Sequence, residues 1–204
     1  SPRSEDMASL DLLLIDLADV GSRYYTFVWT ALLCLRAAAK RGVHTIVLDR
    51  PNPISGDVQS AEGATQKPGY LSFVGLEPLP IRHALTVGEI LAYFAQRDGL
   101  PLGPNGALSI VSVQDWDRSS LAPQWRASSF VMTSPNMPTA DTALVYPGGC
   151  LIEGTNLSEG RGTTRPFELV GAPWLDGERL AKALNSLGFE GFYARPLTYR
   201  PTFH

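Results

Sequence analysis

Metal-site signatures are missing from this 204-residue sequence. Its only cysteines, Cys34 and Cys150, lack the CxxC or Cys/His spacing of a zinc site, so the sequence predicts no metal centre. Cys34 lies in the apolar run ALLCLRAAA, which favours a buried, inert thiol over a ligand or a nucleophile. The spacing leaves a Cys34–Cys150 disulfide open.

An excess of one charge sign and a long apolar run are also lacking. The 17 basic and 20 acidic side chains leave a formal net charge of −3, which argues against a nucleic-acid partner or an anionic membrane surface. No run of about 18 or more apolar residues is present, and the first residues lack the basic start and apolar centre of a signal peptide. The sequence therefore predicts no membrane span and shows no targeting signal.

Nucleotide-binding and common hydrolase motifs are absent as well. No GxGxxG follows the first predicted strand and no GxxxxGK[ST] occurs, which argues against a dinucleotide fingerprint and a P-loop. The GxSxG nucleophile elbow and the HExxH zinc motif are missing too. The sequence predicts no cofactor.

The patterns that are present predict an α/β domain. Residues 10–15 (LDLLLI) and 43–49 (VHTIVLD) read as buried strands, and residues 24–42 between them have helical periodicity that stops at Gly42. A strand, a helix and a strand in this order predict a parallel pair with a right-handed crossover. The 44% apolar fraction and the chain length are typical of one globular domain, so we expect a single α/β domain over residues 1–204.

Further elements follow along the chain. Thr86 and Glu89 have the spacing of a capping box, and Thr139 and Asp176 can each cap a later helix. Residues 107–113 and 189–197 read as further strands. Two long irregular stretches, 50–81 with a hairpin around Tyr70–Val74 and 115–138, have the length of functional loops.

Polar side chains follow each of the three best strand candidates: Asp16 and Asp19, then Asp49 and Arg50, then Gln114 and Asp115. The carboxyl ends of parallel strands share one edge of a sheet, and ligands bind in the crevice there. For any one of these residues, capping of the following turn explains its position about as well as a role in a site does. Their coincidence favours a site at this edge.

Three short stretches add candidate ligand-binding residues. DVGSRYY places Arg23 and Tyr25 at a helix start, where N–H groups and a guanidinium can hold an anion. PIRHALT places Arg82 beside His83, which suits proton transfer or, more simply, a structural hydrogen bond. SPNMP holds Asn136 between prolines. This suits an amide that hydrogen-bonds a hydroxyl of a ligand, and a simple rigid turn is the alternative.

The stretch EGTNLSEGRGTTRPFE, residues 153–168, has no apolar period, so burial of a hydrophobic face is not its role. Glu153, Glu159 and Glu168 can act as acids or bases, and Arg161 and Arg165 can bind anions. Its glycines allow the backbone to approach a ligand closely. Carboxylates, amides, hydroxyls, aromatic rings and arginines without a metal or nucleotide motif are typical of a carbohydrate site, and solvated surface is the alternative.

A family resemblance sharpens this interpretation. From about Asp11 to His204 the chain resembles the NamZ-type exo-β-N-acetylmuramidases, through DVGSRYYTF, VLDRPNPI, SFVG, PIRHALTVGE, SPNMPTADTALVYPG, CLIEGTNLSEGRGTTRPFE, GAPW and RPTF, in this order. The resemblance implies a Rossmann-like parallel sheet flanked by helices, with long functional loops, joined to a smaller C-terminal domain across a site cleft. It also implies a glycoside hydrolase that releases N-acetylmuramic acid from non-reducing ends of peptidoglycan fragments, usually outside the cytoplasm, in cell-wall recycling.

The sequence also departs from the family pattern. Family members carry an upstream segment with a Glu-His-Gly motif that nothing here matches, and they continue past the PTF motif. We therefore expect this chain to be the central portion of a family protein, which leaves its own hydrolytic activity open. Ala18 stands where Gln is usual, and Ala84 stands where Gly usually follows Arg-His.

The resemblance suggests roles for the candidate residues. Glu153, Glu159 and Asp19 are the predicted catalytic residues, and Arg23, Arg161 or Arg165 pairs with the lactyl carboxylate of the sugar. The predicted substrate-binding residues are Arg23, Tyr25, Asp49, Arg50, Asn52, Arg82, His83, Asn136, Thr155, Asn156, Ser158, Arg161, Thr163 and Arg165. The alternatives are a non-catalytic protein that binds amino sugars or muropeptides and, third, a site for a phosphorylated sugar or nucleotide at the Tyr24 helix start.

Overall fold

The computed structural model describes residues 2–3, 5–121 and 130–202 and divides the chain into two compact units, Ser1–Thr133 and Ser134–His204. Part of the irregular stretch 115–138 and Phe203 of the RPTF motif lie outside the described residues. The single domain expected over residues 1–204 stays a prediction.

Unit 1 is built on a parallel sheet. Strands β1 (Leu12–Ile15), β2 (His44–Leu48) and β3 (Leu108–Val111) lie in the order β1-β2-β3, and both pairs are parallel. This confirms the predicted α/β class with a parallel sheet and flanking helices.

Two helices cover one face of this sheet. The core of unit 1 brings together Trp29 and Leu32 of α1 (Phe27–Ala39), Ile90 and Phe94 of α2 (Val87–Arg97), and Ile15, Val47 and Leu108 of the strands. Because side chains alternate across a strand, the inward residues of all three strands project to this one side. Burial of these apolar side chains is the main stabilising contribution to unit 1.

The predicted capping box at the start of α2 is confirmed. The Thr86 hydroxyl accepts a hydrogen bond from the Glu89 N–H at 3.1 Å, and the Glu89 carboxylate accepts one from the Thr86 N–H at 2.9 Å. These bonds satisfy donors that the first turn of a helix leaves free.

Unit 2 contains α3 (Ala140–Gly149) and α4 (Gly177–Ser186), whose predicted caps Thr139 and Asp176 are confirmed. Pro147 has no N–H to donate in the last turn of α3, and the chain continues into a 3₁₀ turn over Cys150–Gly154. Apart from prolines, the buried apolar side chains in the described part of this unit are few: Met137, Ala143, Tyr146, Phe167 and Ala181.

Two local predictions need correction. The strand predicted over 189–197 was wrong, because the structure places this segment in no ladder and leaves Phe189, Phe192, Tyr193 and Leu197 exposed. The Asn185 side chain instead holds both backbone groups of Ala194, at 2.8 and 2.9 Å. The hairpin predicted around Tyr70–Val74 is reduced to a single antiparallel bridge between Ser72 and Gly75. None of the described helices has the length and apolarity needed to cross a bilayer.

Candidate functional site

The ends of β1 and β2 meet as predicted. The Arg50 guanidinium donates to the Asp16 carboxylate at 2.7 Å, which joins the two loops that follow these strands. Gln114 and Asp115, which follow β3, are both exposed.

Asp49 anchors the start of α2. Its carboxylate accepts hydrogen bonds from the Thr86 hydroxyl at 2.6 Å, the Gly88 N–H at 2.8 Å and the Arg50 N–H at 3.0 Å. A Cβ at Gly88 would lie 2.8 Å from the Asp49 carboxyl carbon, so this contact requires glycine. Burial raises the pKa of Asp49, with the hydrogen bonds opposing that rise. Of the two roles open to this strand-end acid, capping is the one the geometry favours.

A buried aspartate–histidine pair lies beside this edge. His83 Nδ1 accepts the Leu85 N–H at 3.2 Å, and Nε2 lies 3.1 Å from Asp19 Oδ2. The same carboxylate oxygen accepts the Gly21 N–H at 2.8 Å. Asp19 Oδ1 is buried and has no hydrogen-bond partner among the described residues. The structure therefore brings Asp19 and His83 together, but inside the protein.

Three loop segments, residues 21–23, 62–64 and 81–83, pair through their backbones, and we refer to them as the loop pairing. Arg23 N–H donates to Ile81 O at 3.0 Å, while Glu62 and Arg82 exchange two backbone hydrogen bonds of 3.1 and 3.0 Å. Directly opposed residues of an antiparallel pair project to one side, so Glu62 and Arg82 share a face with Ser22.

Two arginines of the loop pairing hold neutral backbone groups. Arg23 Nη1 donates to the carbonyls of Ala64 and Leu79, both at 2.6 Å, and Arg82 Nη2 donates to the Ile54 carbonyl. Within the part of the chain that the structure describes, neither guanidinium forms an ion pair with a carboxylate. Their positive charges are therefore available to an anionic ligand.

The remaining predicted residues of unit 1 have structural partners. Asn52 is buried, accepts the Ile54 N–H and donates to the Leu85 carbonyl, both at 3.0 Å. The Tyr25 hydroxyl donates to Thr133, and burial raises the pKa of that tyrosine. These contacts hold the loops that carry the arginines.

In unit 2, the loop over residues 153–168 is organised by its own ion pairs. Arg161 lies 2.6 Å from Glu153 and 3.5 Å from Glu159, and its guanidinium sits over the Phe167 ring at 5.1 Å. Arg165 pairs with Glu168 at 3.0 Å. Both arginines that the sequence offered for anion binding in this loop are thus already neutralised by carboxylates. Glu153 keeps 34% of its side chain exposed, against 12% for Glu159.

Hydroxyl and backbone groups of this loop form hydrogen bonds within it or with residues next to it. Thr155 donates to the Ile152 carbonyl at 2.7 Å and Thr163 to the Gly160 carbonyl at 2.5 Å. The Ser158 backbone exchanges two hydrogen bonds with Gly171, of 2.8 and 3.0 Å. Asn156 is exposed, and the Asn136 N–H donates to the Ser134 hydroxyl at 3.2 Å. Of these residues, Asn156 is the one most open to a ligand.

Both cysteines are free. Cys34 was predicted to be buried, but it is only half-buried; this burial raises the pKa of its thiol, and burial raises the pKa of Cys150 to about 11. The Cys150 thiol donates to Glu153 at 3.8 Å. Neither thiol is therefore activated as a nucleophile near neutral pH.

Two residues that the sequence analysis did not select matter in the structure. Arg118 forms an ion pair with Glu89 and donates to the Gly56 and Ala84 carbonyls at 2.9 and 3.2 Å. Glu62 offers an exposed carboxylate on the loop pairing. Both lie in irregular stretches without a periodic pattern, so their charge was the only feature in the sequence that could have identified them as functional residues. No group of three or more His, Cys, Asp or Glu side chains within the described ranges is arranged to hold a metal ion.

Comparisons with known proteins agree over the whole chain. The family models described as exo-beta-N-acetylmuramidase NamZ, N-terminal and C-terminal, match residues 1–141 and 144–204. The chain is 42% identical over 202 residues to the peptidoglycan beta-N-acetylmuramidase NamZ of Bacillus subtilis strain 168, covering 99% of this chain and 47% of that protein.

Two crystal structures of DUF1343 family proteins from Bacteroides fragilis are also similar. One is 34% identical with a TM-score of 0.87, covering 99% of this chain and 52% of its own. The other is 31% identical with a TM-score of 0.73, covering 86% and 48%. The chain spans about half the length of each of these relatives.

Proposed function

Because the chain belongs to the exo-β-N-acetylmuramidase NamZ family, we propose that it forms part of an exo-acting glycoside hydrolase that releases N-acetylmuramic acid from non-reducing ends of peptidoglycan fragments. The observation that carries the proposal is the 42% identity over 99% of the chain. The proposed activity belongs to the family polypeptide, of which this sequence corresponds to about half.

The loop pairing supplies the proposed contact to the sugar's acidic group. N-acetylmuramic acid differs from N-acetylglucosamine by a lactyl ether whose carboxylate is ionised at neutral pH. Arg23 and Arg82 offer guanidinium groups without a carboxylate partner among the described residues, whereas Arg161 and Arg165 are already paired. We therefore assign recognition of the lactyl carboxylate to Arg23 and Arg82.

Hydrolysis of a glycosidic bond needs a carboxyl group that protonates the leaving oxygen. Glu62 suits this role because it is exposed and projects to the side of Arg82. Glu153 is the better exposed of the two acids held by Arg161. Asp19 is buried, so we assign to it and His83 the positioning of the loop pairing rather than contact with the sugar.

The test measures release of N-acetylmuramic acid from a synthetic muramyl-glucosamine disaccharide. Glu62→Gln is expected to lower kcat by about 10²–10⁴-fold, the usual range for loss of a general acid. Arg82→Gln should raise KM for this substrate but not for the N-acetylglucosamine analogue, which lacks the lactyl group. Arg179→Gln, on the exposed surface of α4, is the matched control and should change neither constant. An unchanged kcat in Glu62→Gln would contradict the assignment of the acid.

A non-catalytic amino-sugar-binding protein is the second candidate. The observation that favours it is the burial of Asp19, one of the three acids that the sequence predicts as catalytic. Calorimetry with N-acetylmuramic acid against N-acetylglucosamine separates the two functions. Selective binding without turnover would support the second candidate, and equal weak heats for both sugars would contradict any specific site.

A further inference from the structure

Arg118, in the loop after β3, is bonded to two other parts of unit 1. Its guanidinium donates to the Gly56 carbonyl at 2.9 Å and to the Ala84 carbonyl at 3.2 Å, and it forms an ion pair with Glu89 in the first turn of α2. The Arg118 carbonyl accepts the Gly56 N–H at 2.7 Å and the Ser55 hydroxyl at 2.9 Å. One residue therefore joins the loop after β2 to the start of α2, and we refer to these contacts as the Arg118 clamp.

The Arg118 clamp bonds to backbone in an unfavourable conformation. Ser55 and Ala84 have φ values of 84° and 56°, and both residues are buried. A left-handed conformation brings Cβ close to the following carbonyl oxygen, so residues other than glycine, asparagine and aspartate rarely adopt it. The alanine side chain has no polar group that could offset this strain. The conformation of Ala84 must therefore be held by bonds to its backbone, and the hydrogen bond from Arg118 is one of them.

The position of the Arg118 guanidinium is itself fixed by packing. It lies 5.3 Å from the centre of the Trp116 ring, and a Cβ at Gly56 would lie 2.6 Å from the same ring, so this approach requires glycine. The Arg118 side chain is 41% exposed, which makes its ion pair with Glu89 a weak contribution. The hydrogen bonds to the two carbonyls are therefore the contacts that hold the loops.

The conformation of Ala84 controls the orientation of His83. The Leu85 N–H donates to His83 Nδ1 at 3.2 Å across Ala84, and the other ring nitrogen lies 3.1 Å from Asp19. With a negative φ at Ala84, the Leu85 N–H would turn away from the imidazole. His83 would then lose a bond that fixes its ring, and the contact to Asp19, in the loop that carries Arg23, would loosen.

We propose that Arg118 is a positioning residue for ligand recognition. By bonding the Ala84 carbonyl, it keeps Ala84 left-handed, which fixes His83 and, through Asp19, the loop pairing. Arg118 needs no contact with the sugar, because it acts through the backbone of Ala84. The inference rests on the proposed function for one point, the binding of the lactyl carboxylate by the loop pairing.

The first measurement follows the conformation of Ala84 in the chain without ligand. The Cα and Cβ NMR chemical shifts of an alanine depend on its φ and ψ, so they distinguish left-handed from negative-φ backbone. In Arg118→Gln we expect the Ala84 shifts to move to negative-φ values while the amide resonances of α1 stay in place. Arg36→Gln is the matched control, because Arg36 is held by Glu77 and Asp98 and its loss should leave the Ala84 shifts unchanged.

The second measurement uses the muramyl-glucosamine disaccharide and the family polypeptide to which the proposed activity belongs. Arg118→Gln should raise KM about tenfold, the factor for loss of one hydrogen bond to a charged group, and should not raise KM for the N-acetylglucosamine analogue. Adding Ala84→Gly should lower that KM again by at least about threefold, because glycine adopts left-handed backbone without strain. Arg36→Gln should leave KM unchanged.

The conservative variant Arg118→Lys separates charge from geometry. It keeps the positive charge, but an ammonium group lacks the planar fork that reaches both carbonyls, so its KM should lie between those of the wild type and Arg118→Gln. It also replaces Arg118→Gln in both measurements if the glutamine variant does not fold.

Three results would overturn the proposal. The first is a folded Arg118 variant in which Ala84 keeps its left-handed shifts. The second is an unchanged KM although these shifts have moved. The third is a raised KM that Ala84→Gly does not lower, because Arg118 would then act on the ligand directly. A wild type that releases no N-acetylmuramic acid would contradict the proposed function instead, and the Ala84 shifts alone would then decide whether Arg118 holds this backbone.

Discussion

At the scale of single residues, Asp49 shows how a strand-end acid titrates when it anchors a helix. Burial is the largest influence on this carboxyl and raises its pKa above the ordinary value of 3.8, against the hydrogen bonds from Thr86, Gly88 and Arg50. Between 3.8 and the raised value, the folded protein binds more protons at Asp49 than the unfolded chain does. The stability due to protonated Asp49 is therefore complete below 3.8 and is lost as pH rises through the folded-state pKa.

The prediction concerns the variant Asp49→Asn, which keeps an acceptor oxygen but cannot titrate. The unfolding free energy of the wild type minus that of the variant should fall as pH rises from 3.8 through the raised folded-state pKa and should then stay level. Urea denaturation at each pH measures it. Asp117→Asn is the internal control, because hydrogen bonds from Ser119 lower the pKa of Asp117 and the difference should rise with pH instead. A level difference for Asp49→Asn across the whole range would contradict the prediction.

At the scale of secondary-structure elements, the start of α2 combines a local helix cap with a hydrogen bond to a residue distant in the sequence. Thr86 caps the helix and also donates to Asp49 at the end of β2. Thr86→Ala should lower the free energy of unfolding by about 1–2 kcal/mol, the upper range for loss of an N-cap, because the Asp49 contact is lost with it. Thr86→Ser keeps the hydroxyl and should lose less than half as much. Equal losses in the two variants, measured by urea denaturation at neutral pH, would show that the methyl group rather than the hydroxyl matters.

The elements also show which features a sequence can predict. Caps at Thr86, Thr139 and Asp176 and the three strands were predictable, because their determinants lie within a few neighbouring residues. The segment 189–197 has the apolar content of a strand, but a strand also needs a partner edge, which local sequence does not specify. The loop pairing could not be predicted from the sequence for the same reason, because Ser22, Glu62 and Arg82 are far apart in the chain.

The site was predictable only in part for the same reason: the sequence shows the type of each side chain but not its partner. The arginines were recognisable as anion binders, but only the structure separates Arg23 and Arg82, which hold carbonyls, from Arg161 and Arg165, which hold carboxylates. Likewise, Asp19 and His83 were predicted without any sign that they contact each other inside the protein.

At the scale of the whole molecule, the two units differ in how much apolar surface they bury. Unit 1 contains the large, fully buried side chains Trp29, Leu32 and Phe94, while α4 of unit 2 buries only Ala181. Local opening requires less free energy where few apolar contacts are broken. Amides of α4 should therefore exchange through local opening and those of α2 only through global unfolding. In native-state hydrogen exchange, protection factors in α2 should exceed those in α4 by about 100-fold or more, equivalent to roughly 3 kcal/mol.

Exchange measured by mass spectrometry on the intact chain tests this difference, with peptides over 87–97 and 177–186 compared after correction for intrinsic rates. A stabilising concentration of sulfate should raise protection in both helices, because it strengthens apolar burial throughout. Sub-denaturing urea should lower protection in α2 steeply and in α4 only slightly, because global unfolding exposes far more surface than local opening. Equal protection and equal urea dependence in the two helices would mean that both units unfold as one cooperative body, so that the small core of unit 2 does not limit its stability.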